Sequence, residues 1–176
     1  TPQSAENKYG SFTNIQNLKS FLSARGYTVN QIFFVDQVNG NDLTGRPDDI
    51  TKPYQTWREI ICESTFLVNG QPWCAKSDPT TGRKILEIQP GDAVLFRGGL
   101  YTDTRPGSSQ FNFTIIGTSG SPNNGRPLEG TATNPIVVMS FPGENAVMND
   151  DYSGIGLGDA QNVIVDGFVS TCDAPC

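Results

Sequence analysis

From Pro90 onward the chain is a succession of short apolar segments separated by glycine, proline, asparagine and aspartate, and this pattern limits the folds open to it. The segments are rich in branched apolar residues, as expected of strands with at least one buried face. They are Ala93–Phe96, Phe111–Ile116, Ile136–Met139, Ala146–Met148, Ile155–Leu157 and Val163–Val165. No helical pattern of about 12 residues lies between them, which argues against alternating strand–helix units. An all-β sandwich and a β-solenoid remain.

A repeated phrase favours the solenoid over the sandwich. Asp92–Arg97, Pro135–Phe141 and Asn162–Phe168 share a polar lead-in, a short apolar run and a break beside glycine or proline. Asn-Gly and Asp-Gly pairs are not centred between alternating strands, as β-hairpins require. The sequence therefore predicts an all-β, right-handed parallel β-helix (a solenoid) of about three coils with a short helical N-terminal cap. Successive strands of one parallel sheet should contain Val94, Ile136 and Val163.

Two short helices are predicted near the N-terminus. Thr13 is the expected N-cap of the first, over residues 13–25, and Gly26 stands where a helix usually stops. The residues that share one face at helical spacing are Ile15, Leu18, Phe21 and Leu22. A second helix is expected over about 56–64.

The predicted organisation divides the chain at residue 31. Residues 1–31 form an N-terminal helical segment, and residues 32–176 form the β-helix cap and first coils, with an inserted loop at about 66–88. A further loop is expected over 118–133, which is rich in glycine, serine, proline and asparagine.

Charge and composition exclude several classes of function. The net charge is −6 with no polybasic run, which argues against nucleic acid as a partner. The chain has no histidine, and therefore lacks the commonest general base and the commonest zinc ligand. No apolar run approaches the roughly 20 residues that span a bilayer, so a membrane is not an expected partner.

The four cysteines, Cys62, Cys74, Cys172 and Cys176, indicate two disulfides in an oxidising compartment. Their spacing fits no zinc site. Three connectivities are open, and proximity in sequence favours Cys62–Cys74 and Cys172–Cys176. The sequon at Asn112 agrees with a secreted, extracellular glycoprotein.

An ordered series of phrases runs over roughly residues 32–170. The phrases are Phe34–Asp36, Val38–Asp42, Lys52–Trp57, Gln89–Val94, Arg97–Tyr101, Asn134–Val138, Phe141–Glu144 and Asn162–Phe168. In this order they resemble the cap and first coils of the pectate-lyase-like right-handed β-helix proteins, nearest the family-9 polysaccharide lyase type. The insert at 66–88 departs from that pattern.

The resemblance implies an extracellular carbohydrate-active protein whose catalytic groups lie on later coils. A lyase of this type needs a Lys or Arg base to remove the C5 proton of a uronic acid. The lysines all precede the first full coil: they are Lys8, Lys19, Lys52, Lys76 and Lys84. The arginines of the β region are Arg97, Arg105 and Arg126. No catalytic residue is therefore predicted in this chain.

Two groups of oxygen-bearing side chains are candidate calcium ligands, which makes calcium the one candidate cofactor. The first group is Asp36, Asn39, Asn41 and Asp42, and the second is Asn149, Asp150 and Asp151. Ca²⁺ takes six to eight oxygens, more than either group offers from side chains. Asn and Asp are also common turn residues, and this structural interpretation is the favoured one.

Aromatic residues divide by sequence context. Those in strand or cap-helix phrases are predicted to be core residues: Phe33, Phe34, Trp57, Phe96 and Phe141. The candidates for stacking on a polysaccharide ligand lie in loop-like context: Trp73, Tyr101 and Tyr152.

Two functional hypotheses follow. In the first, the chain is the non-catalytic N-terminal cap and first coils of an extracellular carbohydrate-active protein. In the second, it is a self-assembling structural subunit that stacks head to tail into an extracellular fibre. In both, the C-terminal strand needs a cover, either further coils of the same chain or another copy.

Overall fold

The structure is a computed structural model of the 176-residue chain. It describes residues 12, 14–57, 60, 67–68, 71–72, 88–102, 113–114, 128–149, 155–156 and 160–171. No helix in this described part is long and apolar enough to cross a bilayer.

The one complete helix, α1, spans Ile15–Ala24 and confirms the first predicted helix. Its N-cap is Asn14, whose side chain accepts a hydrogen bond of 2.8 Å from the N–H of Asn17. The helix ends at Ala24 with Arg25 as its C-cap, and the next residue, Gly26, adopts a φ of 89° that favours glycine. Leu18 and Leu22 are buried, as the apolar spacing predicts. The second predicted helix is described only at Trp57 and Ile60, both helical and buried.

Parallel strands form the rest of the described structure. The strands are β1 (Ile32–Val35), β2 (Leu67–Val68), β3 (Gln71–Pro72), β4 (Ala93–Phe96), β5 (Gly99–Thr102), β6 (Phe113–Thr114), β7 (Ile136–Ser140), β8 (Ala146–Asn149), β9 (Ile155–Gly156), β10 (Val163–Asp166) and β11 (Val169–Thr171). The larger sheet has the order β1-β4-β7-β10 and the smaller sheet the order β11-β8-β5, and every pairing in both is parallel. The short pairs are β2–β3, antiparallel, and β6–β9, parallel.

The larger sheet is buried on both faces. Leu18 and Leu22 of α1 pack on one face in a cluster with Phe34 and Leu95. On the opposite face, strand residues such as Val94 lie in a second cluster with residues of the smaller sheet. All residues of β1, β4 and β7 are buried. This explains their nearly continuous apolar sequences, because a strand covered on both faces has no side that favours polar residues.

The all-β right-handed β-helix predicted from the sequence is wrong as a fold class. The described residues form a mixed α/β arrangement in which one complete helix accompanies two parallel sheets with seven strands between them, and they contain no closed or solenoid sheet. The prediction treated the helix as an end cap, whereas α1 covers a face of the larger sheet. The apolar segments of the sequence indicate which strands are neighbours in a sheet. They do not indicate whether the resulting sheets curve enough to form a closed coil.

The predicted stacking itself is confirmed. Val94, Ile136 and Val163 lie in β4, β7 and β10, which are neighbours in one parallel sheet. Ile136 is paired in register with Val163, and Val94 with Val138. Ile136 and Val147 do not form the antiparallel pair that a hairpin would require.

Candidate functional site

The first group of calcium candidates forms a hydrogen-bonded loop after β1. Asp36 accepts hydrogen bonds from the backbone N–H groups of Val38 (3.0 Å) and Asn39 (2.9 Å), and the Asn39 amide donates to both oxygens of the same carboxylate. Such contacts are those of turn residues. Among the described residues, no three His, Cys, Asp or Glu side chains are grouped as a metal site requires.

The rest of this loop is held in the same way. Asn41 accepts from the N–H groups of Leu43 (2.9 Å) and Thr44 (3.2 Å). Asp42 accepts from the backbone N–H of Thr56 (2.8 Å) and from its hydroxyl (2.7 Å). Asp42 thereby ties the loop to the start of the helical turn at Trp57.

Tyr101 is a core residue of β5 rather than a residue in loop-like context. It is 4% exposed, and its hydroxyl donates to the carbonyl oxygens of Val35 (2.9 Å) and Arg97 (2.8 Å). Burial, reinforced by the nearby Asp36 carboxylate, raises the pKa of the Tyr101 hydroxyl. Its ring is therefore not positioned to stack on a ligand.

Several predicted site residues lie outside the described residues. They are Cys62, Cys74, Cys172 and Cys176, the sequon residue Asn112, the calcium candidates Asp150 and Asp151, and the aromatic residues Trp73 and Tyr152. Asn149 lies in β8, where only its backbone is described. The predicted core aromatics are confirmed as buried: Phe33, Phe34, Trp57, Phe96 and Phe141.

Arg97 is buried in an ion pair. Its guanidinium contacts Glu144, with Nε 2.9 Å from Oε2 and Nη2 on Oε1, and lies 4.2 Å from the centre of the Phe141 ring. Glu144 also accepts a hydrogen bond of 2.6 Å from the N–H of Gly98. This pair joins the turn between β4 and β5 to the turn between β7 and β8, so Arg97 serves the packing of the turns.

The N-terminal edge of the larger sheet is covered by hydrogen bonds from a later segment. The backbone N–H of Ile32 donates to the Asp48 carboxylate (2.9 Å), and the backbone carbonyl of Ile32 accepts from the Asp48 N–H (2.8 Å). Farther along, Tyr54 donates to the carbonyl of Phe34 (2.8 Å) and accepts from the N–H of Asp36 (2.9 Å). We call residues 48–54 the strap. Sequence reasoning missed it, because no pattern in the chain marks Asp48 as the partner of a strand edge.

The opposite edge, formed by β10 and β11, is exposed. The Ile136 N–H donates to the Asn162 carbonyl, so the backbone groups of Asn162 point toward β7. Backbone groups point to alternate sides along a strand, and those of Val163 and Val165 therefore point away from β7. The residues of β10 are only half-buried and those of β11 are exposed. Within the described residues, no strand pairs with this side of either sheet. In the described part of the chain, the larger sheet therefore has one edge covered by the strap, at β1, and one edge without a strand partner, at β10.

Asp92 is a buried carboxylate at the start of β4 and is expected to make stability depend on pH. It is 1% exposed and accepts from the N–H groups of Gln89 (2.8 Å) and Gln31 (3.2 Å). Burial outweighs these bonds and raises the pKa of the Asp92 carboxyl. The folded state thus holds this proton more tightly than the unfolded state, where the pKa is about 3.9. The resulting stabilisation is complete below that value and is lost as the pH rises through the folded-state pKa.

The variant Asp92→Asn removes this titration. The free energy of unfolding of the wild type, minus that of the variant, should therefore decrease as the pH rises above about 3.9. Urea denaturation of both proteins at a series of pH values measures this difference. A difference that increases with pH would contradict the assignment.

Comparisons of the chain with family models, with curated proteins and with solved structures gave no match.

Proposed function

We propose that this chain is the non-catalytic N-terminal end of an extracellular carbohydrate-active protein, and that it terminates the larger parallel sheet at β1 while leaving β10 open to further strands. The observation that carries this proposal is the contrast between the two ends. The strap occupies the outer edge of β1, whereas the backbone groups of Val163 and Val165 point outward from β10. An end-forming unit needs one closed edge and one edge available for further strands.

This contrast favours the end-forming unit over the fibre subunit. A head-to-tail fibre requires each copy to offer two complementary free edges. Asp48 and Tyr54 already hold the backbone groups of Ile32 and Phe34 that a second copy would have to contact. The further strands expected on β10 and β11 are therefore those of the same protein.

The carbohydrate-active and extracellular parts of the proposal rest on the sequence. The phrase series from Phe34 to Phe168 resembles polysaccharide lyases of the β-helix type, while the cysteines and the sequon at Asn112 agree with secretion. Two of the basic side chains that a lyase could use as a base are engaged in ion pairs: Arg97 pairs with Glu144, and Lys19 pairs with Asp48. These ion pairs favour a structural role for Arg97 and Lys19 over a catalytic one.

A two-part experiment tests the proposal. Incubated with polygalacturonate or alginate and calcium, the chain should release no unsaturated uronate, measured by ultraviolet absorbance. Amide hydrogen exchange on the same sample should be slow at Ile32 and Asp36, whose N–H groups bind the strap, and fast at Val163 and Val165. Release of unsaturated product would overturn the non-catalytic role, and equal protection at the two ends would overturn the end-forming role.

A further inference from the structure

Asp48 holds the strap on β1 through both its backbone and its side chain. Asp48 has a φ of 55°, in the left-handed region that residues other than glycine seldom adopt. Its N–H and its Oδ1 both bind Ile32, and its Oδ2 lies 3.0 Å from the ammonium group of Lys19 on α1. Three contacts on one residue therefore hold the strap: two bind Ile32 of β1, the third binds Lys19 of α1, and two of the three are made by side-chain oxygens.

The edge under the strap is complementary to the open edge of the same molecule. Both are edges of one parallel sheet, at opposite ends of the order β1-β4-β7-β10. In the smaller sheet, β11 and β5 also lie at opposite ends, with β11 on the same side as β10. If β1 were uncovered, the β10 edge of a second copy could pair with it in parallel and continue the larger sheet. Because that contact does not close on itself, it would add copies without limit.

We propose that Asp48 is the latch of the strap and that the strap prevents a second copy of this chain from pairing its β10 edge with β1. This inference deepens the end-forming role proposed above and names the partner that the blocked edge excludes. It assigns to Asp48 a task distinct from stabilising the fold, because two of its three contacts end on the edge of β1, where pairing between copies would begin.

The test compares variants of the 176-residue chain by sedimentation velocity over a range of protein concentrations. Asp48→Ala loses both carboxylate contacts and is strained at this φ, so the concentration at which copies associate should fall at least about tenfold below that of the wild type. Asp48→Asn is the matched control, because it keeps an oxygen for the Ile32 N–H and asparagine tolerates the left-handed region. It should behave as the wild type does.

A second substitution locates the contact. Val165→Pro removes an N–H that points away from β7, so proline is tolerated there on an open edge. Added to Asp48→Ala, it should abolish the association. Where Asp48→Ala does not fold, as judged by circular dichroism, Asp48→Gly relieves the φ strain and gives the same comparison.

Three outcomes would overturn the inference. A folded Asp48→Ala or Asp48→Gly chain that associates no more readily than the wild type would show that Asp48 latches nothing. Association that persists with Val165→Pro would show that the β10 edge is not the partner. A wild type that associates as readily as the variant would show that the strap blocks nothing. The proposed function is tested separately, by the lyase assay and by amide exchange at the two edges of the larger sheet, so failure of this inference and failure of the proposed function are distinguishable.

Discussion

Replacing Glu144 by alanine should lower the free energy of unfolding by about 3–5 kcal/mol, because it leaves a buried cation without its counter-charge. The Arg97 side chain is 5% exposed and that of Glu144 is 19% exposed, so water screens the pair only weakly. The same change removes the acceptor for the Gly98 N–H, which stabilises the turn between β4 and β5. Equilibrium urea denaturation measures the loss.

Two controls separate the buried charge from the loss of an ordinary ion pair. Arg46→Ala breaks a pair with Asp49 in which Arg46 is 58% exposed, and should cost only about 0–1 kcal/mol. The double replacement Arg97→Met with Glu144→Leu removes both charges and should cost less than Glu144→Ala alone. If Glu144→Ala were no more damaging than Arg46→Ala, the pair would not be buried as described.

The second large effect is expected at Phe96, the aromatic centre of the core between the two sheets. Phe96 is fully buried, and its ring centre lies 5.2 Å from that of Tyr101, 5.3 Å from Phe168 and 5.7 Å from Trp57. Phe96→Ala should cost about 3–5 kcal/mol, since it removes a large buried side chain and leaves a cavity among three rigid rings. Thermal and urea denaturation both report this loss.

Leu100→Ala is the matched control for Phe96→Ala. Leu100 lies four residues later in β5 and is 56% exposed, so its truncation should change the free energy of unfolding by no more than about 0.5 kcal/mol. Similar losses for the two variants would mean that the core does not lie between the two sheets.

The elements that depend on local pattern were predictable from the sequence. The spacing of Leu18 and Leu22 predicted α1, and the similar phrases at Val94, Ile136 and Val163 predicted their parallel stacking. Both patterns arise because the buried positions of one short segment carry apolar residues, which the sequence of that segment shows directly. The buried phenylalanines followed for the same reason.

The features that depend on tertiary contact were not predictable. Whether α1 covers an end or a face of the sheet depends on the path of the chain between Gly26 and β1, which apolar spacing does not encode. The partner of Arg97 stands 47 positions away, and nothing in the sequence around Glu144 distinguishes it from a surface carboxylate. Tyr101 follows two glycines and was assigned to a loop-like context, although its alternation in β5 directs its ring into the core.

The strap and its latch illustrate the same limit at the candidate site. Pro47, Asp48 and Asp49 are typical of a turn, and turn residues are exposed as a rule. Asp48 differs from an ordinary turn residue because its backbone N–H and its side chain bind Ile32 at the edge of β1, a contact that is visible only in the folded structure.

The register of the larger sheet also implies an order of assembly. Its three strand pairings close progressively shorter lengths of chain. Ile32 pairs with Ala93, which lies 61 residues later, and Ala93 pairs with Val137, which lies 44 residues later. Ile136 pairs with Val163, which lies 27 residues later. Because the entropy of loop closure grows with length, the first pairing costs about 0.7 kcal/mol more than the last. Pairing is therefore expected to begin at β7 and β10 and to reach β1 last. During synthesis β1 emerges before its sheet partner β4, and the strap also emerges before β4, so the outer edge of β1 can be covered before its inner edge is paired.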